Sequence, residues 1–220
     1  MKLKYYVLVL IIIFTQAFTP VYAVSNEDYE YIYGKTNLLL IGANDKYDTP
    51  YNFFIVLTID SINKQLTLTS LQKNIMFNCD KPSLYDIYLN KDEEYLKKII
   101  KEYYHINIDN YVVIDKLALK KIVDTTQTIK INNNLVNGND VLNYLENTRF
   151  VHIYIQEQIQ RDVIQELLYG FSRLPFSKYP YVIKECFNYV KVDLSPFKML
   201  CLGFTALSLK NYTALQFQLT

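Results

Sequence analysis

Two apolar runs joined by four residues limit this chain more than any other feature. Asn52 to Asp60 and Gln65 to Leu71 are each of strand length, the second alternating, and only Ser61-Ile62-Asn63-Lys64 lies between them. A connection so short suits an antiparallel hairpin and cannot carry a crossover. A third run, Thr36-Asn37-Leu38-Leu39-Leu40-Ile41, is ended by Gly42 in the pattern of a buried strand. The polar loop from Gly42 to Tyr51, with Asn44, Asp45, Asp48 and Pro50, separates it from the hairpin.

Helical signals follow. After a loop from Gln72 to Pro82, Asp92 can cap a helix to about Tyr104. Tyr95, Ile99 and Tyr103 stand four apart on one face of it, with Leu96 and Ile100 beside them. Asn110 to Asp115 reads as a strand, Leu117 to Val123 as a short helix, and Thr128 to Ile131 as a strand. Asn137 can cap a helix to about Asn147, and a longer helix spans Ile153 to Tyr169, stopped by Gly170. Ser195-Pro196 opens a helix to about Leu207, and Tyr212 to Leu219 is a closing strand. Strands and helices alternate without repeats or a linker, which argues for one α/β domain.

Composition narrows the function classes. With 220 residues, half of them hydrophobic (50%), there is material for a single core and no case for global disorder. A formal net charge of +1 gives no one-signed field for nucleic acid. The 21 tyrosines accompany many Lys, Asn and Ile and read as coding bias. Cys79, Cys186 and Cys201 are an odd number in no metal-ligand spacing, and His105 and His152 stand alone, so no zinc site is expected. A Cys186–Cys201 disulfide and a set of small buried hydrophobes are both open to the cysteines.

The N-terminus points out of the cytoplasm. Lys2 and Lys4 precede the unbroken apolar run Tyr5 to Phe14, and Val21-Tyr22-Ala23 puts small residues where a signal peptidase reads them. Residues 1–23 are therefore a signal peptide or an uncleaved membrane anchor, since Tyr5 to Val24 is about the ~20 residues a spanning helix needs. Residues 24–35 form a polar lead-in, and residues 36–220 the domain. Pro20 and the polarity change at Ser25 favour cleavage. Either outcome leaves the rest extracytoplasmic, secreted or held at the outer face of the membrane.

Six motifs, in order from Asn37 to Leu207, resemble the LytR–CpsA–Psr family of cell-envelope proteins. Leu39-Leu40-Ile41-Gly42-Ala43-Asn44 is similar to the family's Leu-Leu-Gly-Ser-Asp, and Ser70-Leu71-Gln72-Lys73-Asn74-Ile75 to its Ser-Ile-Pro-Arg-Asp-Thr. Ile108 to Asp115 (Ile-Asp-Asn-Tyr-Val-Val-Ile-Asp) is close to Ile-Asp-His-Tyr-Val-Val-Val-Asp. Val136 to Leu145 resembles Leu-Asn-Gly-Glu-Gln-Ala-Leu-Ala-Tyr-Val, and Val192-Asp193-Leu194-Ser195 resembles Thr-Asp-Leu-Ser. The strand end Leu57 to Asp60 also falls at the family's spacing. The resemblance implies a single α/β domain with a central mixed β-sheet flanked by helices on both faces. It also implies a protein that binds a polyprenyl-pyrophosphate-linked glycopolymer and transfers it, through phosphate, to the cell wall.

That chemistry needs fixed cations for the pyrophosphate, hard oxygen ligands for magnesium and an apolar tunnel for the lipid. Carried over by position, few of these groups persist. The family's carboxylates fall on the amides Asn44, Asn52 and Asn74, and an Arg-Asp pair falls on Lys73-Asn74. An arginine falls on Glu146. The Arg-Ile-x-Arg-Gln motif falls on Gln156 to Gln160, which keeps only Gln160 and puts Ile159 at the second arginine. The phosphate-binding candidates are thus Lys73, Gln160, Asn44, Asn52, Asn74 and Gln156. Asp45, Asp48, Arg149 and Arg161 are the available substitutes, and each also reads as an ordinary solvated charge. No catalytic residue and no metal ligand follow.

Three readings remain. One is a family fold with reduced or lost catalysis, binding a lipid or glycopolymer or assisting an active relative, with no cofactor. Another is an active Mg²⁺-dependent glycopolymer phosphotransferase. The last is a structural surface domain using its tyrosines for contacts. Cleavage after Ala23 predicts a mature N-terminus at Val24. Mass spectrometry of the exported protein checks this, and an intact Met1 end would instead indicate the anchor.

Overall fold

The computed structural model describes residues 34–43, 52–74, 82–90, 92–127, 129–131, 133–178, 181–182, 184–185, 188–195, 198 and 211–219. The leader, the loop with Asn44, Asp45 and Asp48, and all three cysteines lie outside the described residues.

The hairpin forms as its spacing requires. β2 (Phe53–Asp60) and β3 (Gln65–Leu71) pair antiparallel with Asp60 opposite Gln65. Lys64 closes the turn at φ 51°, and Asp60 Oδ1 accepts from the Asn63 N–H at 2.8 Å. β1 (Lys35–Ala43) pairs antiparallel with β2, opening one residue earlier than the apolar run suggests. On its other edge β1 takes β4 (Asn110–Asp115) in parallel, and β4 takes β7 (Val190–Val192) antiparallel. β8 (Thr213–Leu219) adds in parallel to β3. The mixed six-stranded sheet has the order β7-β4-β1-β2-β3-β8.

Both faces are covered, because alternate residues of the central strands are apolar on each side. On one face Leu38, Leu40, Ile55, Leu57 and Leu68 pack under α3 (Lys116–Thr126), α4 (Gly138–Glu146) and α5 (Ile153–Arg173). On the other, Leu39, Ile41, Phe54 and Val56 pack under α1 (Leu84–Asn90) and α2 (Glu93–Tyr104). The expected single α/β domain is therefore observed.

The residues that carry the resemblance noted in the sequence satisfy backbone. Asp109 Oδ2 accepts from Asn37 N–H at 2.7 Å, which locks the entry of β4 to β1. Asp115 and Asn137 cap α3 and α4, the latter in a capping box with Asp140. Asp193 Oδ1 accepts from Tyr111 N–H at 2.6 Å and its Oδ2 meets Lys97 at 3.4 Å, tying β7 to β4 and α2.

Some expectations change. The seven-residue helix α1 was not anticipated, being too short to show a period. In α2 the buried stripe is Leu96, Ile99 and Ile100, while Tyr95 is exposed: the face centres on the aliphatics, which bury apolar area with no hydroxyl to keep hydrogen-bonded. Thr128 to Ile131 holds only β5 (Lys130–Ile131), paired with β6 (Asn134–Leu135) in a separate ribbon. Gly170 does not stop α5; it is buried within it, and the helix runs on to Arg173, capped by Leu174. Of the helix expected after Ser195, only Lys198 is described, its N–H donating to Ser195 Oγ at 3.3 Å as a cap would receive it. His105 and His152 are helix ends, at the C-terminus of α2 and the N-cap of α5.

Gly138 shows how closely α3 and α4 approach. A Cβ there would lie 2.4 Å from the Lys120 carbonyl oxygen, and its N–H donates to Asp124 Oδ1 at 2.7 Å. Gly138→Ala should lower stability by about 1–3 kcal/mol, the usual cost of overpacking against backbone. Urea denaturation checks this, and an unchanged midpoint would contradict the close approach.

Candidate functional site

α5 is drawn onto the sheet by Val163, Ile164 and Leu167, which carries its first turns across the ends of β2 and β3. There Asn52, Ser70, Lys73, Glu157 and Gln160 meet, with Phe53, Phe54 and Leu71 completing the lining of a crevice. Its gaps are too tight for a water molecule. Asn52, Lys73, Glu157 and Gln160 are all buried. Gln160 Nε2 donates to the Asn52 carbonyl at 3.5 Å.

The structure thus brings together three of the sequence candidates, Lys73, Gln160 and Asn52. The others lie elsewhere. Asn74 is exposed and outside the crevice lining. Gln156 is buried, but its Nε2 reaches Thr148 Oγ1 at 3.5 Å. Arg149 is an exposed partner of Glu146 across one helical turn, so Glu146 does not intrude on the crevice as its family position suggests. Asn44, Asp45 and Asp48 lie outside the described residues.

Arg161 is not a solvated charge. Only 2% exposed, it donates from Nη1 to Ser70 Oγ at 2.7 Å, from Nη2 to Gln158 Oε1 at 2.8 Å and from Nε to Gln216 Oε1 at 3.4 Å. These bonds fasten α5 to β3 and β8 and turn the guanidinium away from any bidentate anion contact.

Glu157 is the functional candidate that the sequence hid. It is 4% exposed, and both its carboxylate oxygens are buried with no donor in good hydrogen-bond geometry. Burial pushes its pKa up, against the opposing charges of Arg161 and Lys73 and the nearby Gln218 side chain. In sequence it looks like any helix-surface glutamate, since such residues are rarely buried unpaired. The one signal was its place one turn before Arg161.

The LytR_cpsA_psr family model matches residues 22–157, ending at this glutamate. No curated protein matches the sequence. Among solved structures, protein gbs0355 of Streptococcus agalactiae is similar at TM-score 0.71 and 18% identity, over 86% of this chain and 79% of its own. EF0465 of Enterococcus faecalis, described as a transcriptional regulator, is similar at TM-score 0.70 and 20% identity, over 84% and 76%. A structure of TagT bound to LIIa-WTA is similar at TM-score 0.68 and 13% identity, over 90% and 84%. At such identities these likenesses establish the fold.

The buried charges make stability depend on pH. A carboxyl whose folded pKa is raised above its unfolded value, here 4.5, contributes fully below that value. The contribution is lost as pH rises through the folded one. Glu157→Gln should therefore raise the urea midpoint at neutral pH and change it little near pH 4; a lower midpoint at neutral pH contradicts this. Arg161→Met should cost about 3–5 kcal/mol, because it leaves the Glu157 charge uncompensated.

Proposed function

The chain belongs to the LytR_cpsA_psr family, and from that premise we propose an exported cell-envelope protein whose transferase chemistry is reduced or lost. In this reading Lys73 and Gln160 contact the phosphate of a polyprenyl-linked glycopolymer, close to the membrane, once the side chains of the crevice part to admit it. The observation that carries the proposal is the state of the crevice. Its one lysine is buried beside a carboxylate of opposite charge, in space too tight for water. A working pyrophosphate clamp instead presents open, preorganised cations.

Family membership supports a place at the cell envelope, and TagT with LIIa-WTA supports a glycopolymer ligand. Among the described residues no helix is long and apolar enough to cross a membrane, so anchoring would fall to the leader. Lys73 would contact the phosphate as a point charge, while Gln160 and Asn52 could supply amide hydrogen bonds without charge.

Magnesium does not fit the described side chains. Asn52 is an amide, and Asn74 lies outside the crevice lining. Glu157, the carboxylate in that lining, has Lys73 and Arg161 beside it, and both repel a dication. Among the described residues no group of three acidic, histidine or cysteine side chains could hold a metal. Each preorganised charge removed costs ~10²–10³ in rate, so several losses place transfer below detection. The test is turnover of a polyprenyl-pyrophosphate-linked glycopolymer, with and without Mg²⁺, by this chain and by an Asn52→Asp, Asn74→Asp variant. No turnover by the natural chain is expected. Robust metal-dependent turnover by it would make the protein an active transferase.

A further inference from the structure

Glu157 has a role that packing alone does not explain. It occupies the place of an aliphatic residue in the Arg-Ile-x-Arg-Gln comparison, yet it is the acidic side chain buried among the described residues. Arg161 spends its donors on Ser70, Gln158 and Gln216 rather than on Glu157. Gln218 is the neutral side chain beside the carboxylate, and Arg161 and Lys73 act on it through their field. The groups facing Glu157 are Lys73 beyond β3, Arg161 one turn along α5, Gln218 on β8 and Tyr104 on α2. The Tyr104 hydroxyl is pushed up to about 12 by burial and by Glu157. In the crevice lining Lys73 and Glu157 are thus one cation against one anion, and Arg161 adds its field from outside the lining.

We infer that Glu157 is a specificity-determining residue: an internal anion that offsets Lys73 and Arg161, so that the crevice holds multiply charged phosphate weakly until this carboxylate is neutralised. The inference rests on the phosphate-site reading above. A bound cation is the wrong occupant, because Lys73 and Arg161 repel it. A phosphate ligand, by contrast, meets Lys73 and competes with Glu157 for its field. Protonation of Glu157 removes that competition, and its raised pKa brings the event closer to neutral pH.

The test is calorimetric titration of the full chain with inorganic pyrophosphate, without metal, near pH 8 and near pH 4.5. A carboxyl raised above 4.5 is more than half protonated at the lower pH. Near pH 8, Glu157→Gln should bind at least about tenfold tighter than the natural chain, the effect of one charge in a partly buried site. Near pH 4.5 that gap should narrow, because the natural chain is then more than half protonated at this position. Glu157→Ile, which restores the aliphatic residue, should behave like Glu157→Gln and stands in for it if the amide fails to fold. Lys73→Gln should lose binding at both pH values. If both Glu157 variants bind no tighter near pH 8 while Lys73→Gln still loses binding, the crevice is a phosphate site and the inference about Glu157 is overturned. If Lys73→Gln binds as tightly as the natural chain, the phosphate reading of the crevice falls as well. No measurable binding by either Glu157 variant also overturns the inference.

Discussion

A buried guanidinium organises the functional end of this molecule. Arg161 reaches β3 through Ser70 and β8 through Gln216, and so pins the first turns of α5 across the sheet edge. Burying it has a desolvation cost that only full hydrogen bonding can offset, and three neutral acceptors supply that. The consequence is chemical as well as structural. A positive charge that could have faced a phosphate is committed inward, and Glu157 one turn earlier is held in its field. The crevice inherits its narrowness and its modest charge from this arrangement.

The motifs that made the family visible in the sequence turn out to satisfy backbone. Asp109, Asp115, Asn137 and Asp193 each accept N–H groups at a strand entry, a helix start or a sheet edge. Gly138 permits one helix to lie on the carbonyls of another. Losing any of these strands a buried polar group or forces a clash, whatever the protein binds. Charges that face a ligand have no such duty. This explains how a scaffold can stay in register while the side chains that would face a ligand change.

Local chemistry was legible because it acts over a few residues. The hairpin, the caps at Asp92 and Asn137, and the strand before Gly42 all follow from nearest neighbours in sequence. The parallel pairing of β8 with β3 is set by partners far apart in the chain and carries no local mark. Gly170 reads as a stop, but burial against the core holds the helix through it. The candidate site was half legible. Lys73, Gln160 and Asn52 meet as their family positions suggest. Gln156 and Arg149 turn to local partners, and the burial of Glu157 and Arg161 depends on where α5 lands.

The central claim is a family scaffold whose phosphate contact has narrowed to Lys73 and Gln160 and whose chemistry has faded. The most direct measurement is a crystal structure of the domain soaked with a polyprenyl pyrophosphate near pH 4.5, on the acid side of the Glu157 titration. An intact ligand, with a phosphate oxygen in hydrogen-bond reach of Lys73 Nζ and Gln160 Nε2, is the predicted result. A hydrolysed ligand, or one seated away from this crevice, would contradict it.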